Sequence, residues 1–184
     1  MFHAEHFWRT EPLSGWEELL LKALVAAHHA SAFRDNPSSI AVAQAAAGSG
    51  QLEKAIAAGL MTIGGRHGPL RESAELLLLD DPAFAAKQIV YRGRKVPGWG
   101  GAFQKDAPDP IWSEVKELLS PSQMADKLNA VTTQLHLLKK PVYPNPSGYT
   151  AAVAILIGLP ASLTPYLFIA SRLTAWTQLA AGVL

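Results

Sequence analysis

Apolar residues recur at three- and four-residue intervals along most of this chain, and no stretch alternates apolar and polar residues with a period of two. That pattern excludes a sheet-based fold and leaves helices packed on helices. Leu19, Leu20, Ala23, Leu24, Ala27 and Ala30 mark a helix over residues 16 to about 33, with Ser14 and Glu17 spaced as a capping box. Asn36-Pro37 predicts a turn, and Pro37 or Ser38 starts the next helix, residues 40–47. Gly48-Ser49-Gly50 breaks it, and residues 51–63 resume with Leu52, Ile56 and Leu60 in step. Further helices are expected over residues 72–91, with an interruption at Asp81-Pro82, then over 111–119 and 123–138. Lys139-Lys140 suit the last helix's C-terminal end, and Pro141, Pro144 and Pro146 hold residues 142–147 extended. The fold class is all-α, as one domain over residues 15–184 preceded by an arm over residues 1–14.

A chain of 184 residues is large enough for a substantial core. Its net charge of +1 and lack of a long basic run argue against nucleic-acid binding. It has no cysteine, so thiolate catalysis, disulfides and Cys-ligated metals are excluded. His3 and His6 lack a third ligand, so no metal is expected and the arm reads as a polar tail. No N-terminal apolar stretch resembles a signal peptide, which makes the cytoplasm the expected location.

From Ala151 to Leu184 the one formally charged side chain is Arg172. Pro160 and Pro165 divide this run, and Thr164, Ser171, Thr174, Thr177 and Gln178 add polar groups. The expectation is a helix buried on all sides at a subunit interface rather than a membrane span. A lone charge in such a helix is expensive unless paired or bound to an anion. Arg172 therefore calls for an anionic ligand or a carboxylate of a partner subunit.

Two glycine-rich breaks stand out. Gly64-Gly65-Arg66-His67-Gly68-Pro69-Leu70 separates two helical segments, and glycine permits the positive φ that a sharp turn requires. His67 there is placed either to face a ligand or to cap a helix. Arg92-Gly93-Arg94-Lys95-Val96-Pro97-Gly98-Trp99-Gly100-Gly101 puts cations before freed backbone amides, which suits a phosphate. The alternative is an exposed basic loop. It lacks the Gly-Lys-Ser/Thr of a P-loop and follows no strand. His28 and His29 straddle a helix face, one packed and one wet.

Taken in order, these landmarks resemble the citrate synthase superfamily, including its citryl-CoA lyase-like branch. A helix ending in histidine precedes Asn36-Pro37-Ser38-Ser39, and the turn at Gly64-Gly65-Arg66-His67-Gly68 is similar to the family's active-site histidine turn. Val96-Pro97-Gly98-Trp99-Gly100 resembles its Pro-Gly-aromatic-Gly loop, followed by Lys105 and Asp109-Pro110, by Pro144-Asn145, and by closing helices that carry Arg172 and Trp176. The resemblance implies a multi-helical citrate synthase-like fold, an intertwined or helix-packed homodimer, and a coenzyme A thioester and a small carboxylic acid such as citrate or oxaloacetate as ligands. It places His67 at the enolate-stabilising position, His29 against the keto acid, and Arg172, Ser147 and Asn145 in the carboxylic-acid site. Val96, Pro97, Gly98, Trp99, Gly100, Gly101 and Lys105 would lie along CoA.

Three positions depart from the family pattern. Gly101 stands where the family has a second histidine, Ser147 where it has the catalytic aspartate, and Ile111 where it has an arginine. A serine hydroxyl does not remove a thioester α-proton at neutral pH, and a general base contributes about 10²–10⁴-fold. Two readings follow: an enzyme that makes or cleaves a C–C bond with a substitute base (His67, Asp106 or Asp109), or a homologue that binds CoA, a carboxylate or a partner subunit without turnover.

Overall fold

The computed structural model describes residues 11–34, 36–64, 68–101 and 107–183. Among them the regular elements are helical: α1 (Gly15–Ala32), α2 (Pro37–Ser49), α3 (Leu52–Met61), α4 (Leu70–Leu78), α5 (Pro82–Tyr91), α6 (Ser113–Leu119), α7 (Gln123–Leu137), α8 (Pro146–Leu156) and α9 (Thr164–Ala181). Short 3-10 turns at Pro110–Trp112 and Ala161–Leu163 lead into α6 and α9.

Local chemistry sets most of these boundaries. Ser14 and Glu17 form the reciprocal capping box, with Ser14 N–H donating to Glu17 Oε2 at 2.6 Å and Glu17 N–H to Ser14 Oγ at 3.3 Å. Asn36, Asp81 and Asn145 each cap a helix whose first turn carries a proline, where the missing N–H is no loss. Residues 72–91 are accordingly two helices, parted at Asp81-Pro82 as expected. The extended stretch predicted over residues 142–147 stops at Asn145, because the Asn145 cap makes Pro146 the first helical residue.

Most elements pack into one apolar cluster, with Leu20, Leu24, Leu77, Trp112, Val115, Leu135 and Val153 buried in it. A second, smaller cluster joins α1, α2, α3 and α9 through Ala32, Val42, Ala46, Ala55, Ala175 and Trp176. Gly59 lets α3 approach closely there: a Cβ on it would meet Val42 Cγ2 at 2.7 Å. α9 buries Phe168, Ser171, Arg172, Ala175, Trp176 and Ala180. Its opposite face leaves Tyr166 and Leu173 exposed, so the helix is buried along one side of this chain and not all round. Among the described residues no helix is long and apolar enough to cross a membrane.

Candidate functional site

The Pro97-Gly98-Trp99-Gly100 loop and the Tyr143-Pro144-Asn145 segment lie side by side as a short antiparallel pair. Asn145 N–H donates to Gly98 C=O at 2.9 Å, Gly100 N–H to Tyr143 C=O at 2.9 Å, and Asn145 Nδ2 to Gly100 C=O at 2.7 Å. The Asn145 side chain also caps α8 by accepting from Ser147 N–H and Gly148 N–H. One asparagine thus ties the loop to the first turn of α8. The Trp99 indole is buried and donates to Thr132 Oγ1 on α7 at 3.0 Å.

Gly98 is the meeting point. Its φ of +84° requires the left-handed region, and a Cβ there would meet Ser73 Oγ of α4 at 2.9 Å and Gly148 Cα of α8 at 3.0 Å. A Cβ on Gly148 would lie 2.5 Å from Gly98 O. Two glycines let the loop, α4 and α8 converge backbone to backbone. α4, which begins at Leu70, and both loop segments meet at one place.

A buried polar cluster lies along α9, between Phe168 and the smaller apolar cluster. Arg172 Nη1 donates to Asn36 Oδ1 at 3.1 Å and to Ser38 Oγ at 3.2 Å, Nη2 to Ser31 Oγ at 3.1 Å, and Nε to His28 Nδ1 at 3.4 Å. The guanidinium carbon sits 4.5 Å from the Phe168 ring centroid. None of the described carboxylates pairs with it. Burial pulls the Arg172 pKa down to about 10, which still leaves it a cation at neutral pH. Burial first, and the Arg172 charge second, hold His28 well below the usual imidazole range, so it is neutral. With Nδ1 accepting from Arg172, the proton belongs on Nε2, which donates to Thr150 Oγ1 at 2.7 Å. Thr150 in turn donates to Pro146 C=O at 2.7 Å. The chain Arg172, His28, Thr150 therefore ends on the same first turn of α8 that holds the loop pair.

The described fold and these two networks accompany a match of residues 3–180 to the family model of the citrate synthase C-terminal domain. The chain belongs to the citrate synthase family. Among solved structures it is similar to citryl-CoA lyase from Hydrogenobacter thermophilus, at 19% identity and a TM-score of 0.79 over 98% of this chain and 74% of that one. Citrate synthase from Thermotoga maritima MSB8 matches at 22% identity and a TM-score of 0.75, over 93% of this chain and 50% of that one. ATP citrate lyase from Methanothrix soehngenii, solved in complex with citrate and coenzyme A, matches at 15% identity and a TM-score of 0.77, over 97% and 33%. At these identities the likeness is one of fold. No curated protein matches the sequence.

Within this citrate synthase-family frame, His67, Lys105 and Asp106 lie outside the described residues. Gly98, Trp99, Gly100 and Asn145 are joined by direct hydrogen bonds or backbone pairing, with Val96 buried beside them and Gly101 exposed. Ser147 is buried in the α8 first turn. A Cβ on Gly101 would meet none of the described residues within 4 Å. His29 sits at the surface, with Nε2 2.9 Å from Gln178 Oε1 and its ring edge-on to Phe33. It is His28 that is packed and that meets Arg172. His28 is four residues from Leu24 and eight from Leu20, both fully buried, and helical spacing alone puts it on the inward stripe. Asp109 caps the 3-10 turn through Oδ1 and pairs through Oδ2 with Arg34 at 2.5 Å. Ile111 packs against the main core. Among the described residues no three His, Asp or Glu side chains cluster as metal ligands.

Proposed function

We propose that this chain binds a coenzyme A thioester along the paired 96–101 and 143–147 segments and does not itself make or break a carbon–carbon bond. The observation that carries this reading is the state of Arg172. Its guanidinium has five N–H donors, and four hydrogen bonds run to Asn36, Ser38, Ser31 and His28 of its own chain. The arginine that the family resemblance assigns to a substrate carboxylate is here a structural cation. Ile111 packs apolar surface where a second arginine belongs, and Ser147 and Gly101 supply neither a base nor a carbonyl-polarising group. The loop pair that would face the thioester is intact by contrast, held by three backbone and side-chain hydrogen bonds. Exposed Arg92, Arg94 and Lys95 precede it and suit a phosphate-bearing ligand. Two of the structurally similar ATP citrate lyases were solved with coenzyme A or (3S)-citryl-CoA bound, which supports the ligand class.

Thermal melts with CoA, acetyl-CoA and citrate test the binding. CoA at a hundredfold excess over its Kd raises stability by about 2.7 kcal/mol, while citrate alone leaves the midpoint unchanged. A midpoint that moves with citrate and not with CoA refutes the reading. In an assay of citryl-CoA cleavage the native chain is expected to be inactive. The double variant Gly101→His, Ser147→Asp restores both missing groups and is expected to gain measurable cleavage. Cleavage by the native chain that His67→Ala abolishes would establish the enzymatic alternative instead. The exposed Tyr166 and Leu173 on α9 support homodimerisation, which light scattering on the purified protein checks.

A further inference from the structure

We infer that a cleft beneath the loop pair, bordered by Tyr143 and Pro144 of that pair and distinct from Arg172, is a binding site for a short-chain monocarboxylate. The cleft measures about 150 Å³ and lies between α6, α7, the Tyr143-Pro144 segment and α8. Leu119, Ala125 and Leu128 make an apolar floor. Around it stand Lys116, Ser120, Asn129, Tyr143 and Tyr149, whose polar ends hydrogen-bond to no described residue. Tyr149 is the most telling of them. The residue is 4% exposed and its ring stacks on Trp112 with centroids 5.6 Å apart, yet its hydroxyl has no partner among the described residues. The ring is buried while the hydroxyl opens on the cleft, which makes it a ready donor for a ligand.

The chemistry of the rim selects the ligand. Lysine ammonium is a donor only, and serine, asparagine and tyrosine all offer N–H or O–H groups. Burial, and secondarily the Asp109 charge, push the Tyr149 pKa up to about 12, so its hydroxyl keeps its proton at neutral pH and donates. Among the described residues no carboxylate lines the cleft, and Asp109 is already paired with Arg34. A donor-rich rim with one cation calls for an anionic acceptor, and the leucine floor calls for a few apolar carbons. A protein cavity of about 150 Å³ accommodates a six-heavy-atom ligand the size of benzene, and butyrate has that many. Occupancy would also be felt at the loop pair, because Thr132 and Pro144 line the cleft and both hold Trp99.

Isothermal titration of the full chain with sodium butyrate tests this. A ligand of this size is expected to bind saturably with a Kd on the order of millimolar. Tyr149→Phe, which keeps the stack on Trp112, and Lys116→Gln, on the exposed rim, are each expected to weaken binding by about tenfold. Butyramide, isosteric and uncharged, is expected to bind at least about tenfold more weakly than butyrate. No saturable heat, binding unchanged in both variants, or butyramide binding as well as butyrate would each overturn the assignment. None of these readouts involves CoA, so the outcome is independent of the function proposed above.

Discussion

Replacing Gly148 by alanine offers a sharp test of how the candidate site is assembled. Gly148 lies in the first turn of α8, where alanine is favoured over glycine by up to about 1 kcal/mol on helix propensity alone. The geometry opposes that gain. The new Cβ would sit 2.5 Å from the Gly98 carbonyl oxygen, whereas ordinary van der Waals contact starts near 3.4 Å. The obstacle is backbone and cannot swing aside as a side chain would, so loop and helix must part by nearly an ångström. The Asn145 N–H bond to the same oxygen, 2.9 Å long, would stretch beyond bonding distance. Overpacking costs about 1–3 kcal/mol and the lost hydrogen bond about 1 kcal/mol, for a net destabilisation of about 1–3 kcal/mol after the propensity gain. Gly48→Ala is the control. Gly48 is also helical, in α2, and a Cβ there meets nothing within 4 Å, so that variant gains about 0.4–1 kcal/mol. Urea denaturation read as a shift in midpoint at constant slope separates the two. If both variants shift the midpoint in the same direction, the close approach of Gly98 and Gly148 is not what holds the loop.

Two further outcomes follow from the buried cluster. His28 is neutral in the folded protein because its pKa is depressed, whereas the unfolded chain protonates it near the ordinary value of 6.5. The unfolded state therefore binds more protons below that value, and stability is lost as pH falls from about 6.5 toward the depressed folded pKa. Urea midpoints at pH 7.5 and pH 5 should differ less in His28→Gln than in the native chain, and an identical slope in both would exclude His28 as the source. Arg172→Met keeps the apolar stem but removes the N–H donors that Arg172 gives to Asn36 Oδ1 and to the Ser31 and Ser38 hydroxyls. A loss of about 2–4 kcal/mol is expected; an unchanged midpoint would mean that the cluster contributes little to the fold.

Much of the fold is legible in the residues because the signals are local. Ser14 with Glu17, Asn36-Pro37, Asp81-Pro82 and Asn145-Pro146 each place a capping side chain or an N1 proline within three residues of the helix it starts. Periodicity shows that α1 has an inward stripe, and His28 falls on it. Family landmarks led to His29 instead, since two adjacent histidines satisfy the same pattern of residue types. The expected extended stretch over residues 142–147 is two residues too long, because the Asn145 cap makes Pro146 the first residue of α8 rather than a continuation of the prolines before it.

The order of residues by itself determined an all-α chain with its caps, breaks and glycine-rich turns, because those depend on interactions spanning a few residues. Only the tertiary structure decided what Arg172 is for. A lone charge in an apolar helix asks for some partner, and the sequence points to an anionic ligand or a neighbouring subunit's carboxylate, not to neutral groups of the same chain. The partners turned out to be Ser31, Asn36, Ser38 and His28, 134 to 144 residues away along the chain. The meeting of Gly98 with Gly148 is of the same kind. A glycine announces that a backbone is free to come close, but which backbone comes close is settled by how α4 and α8 pack.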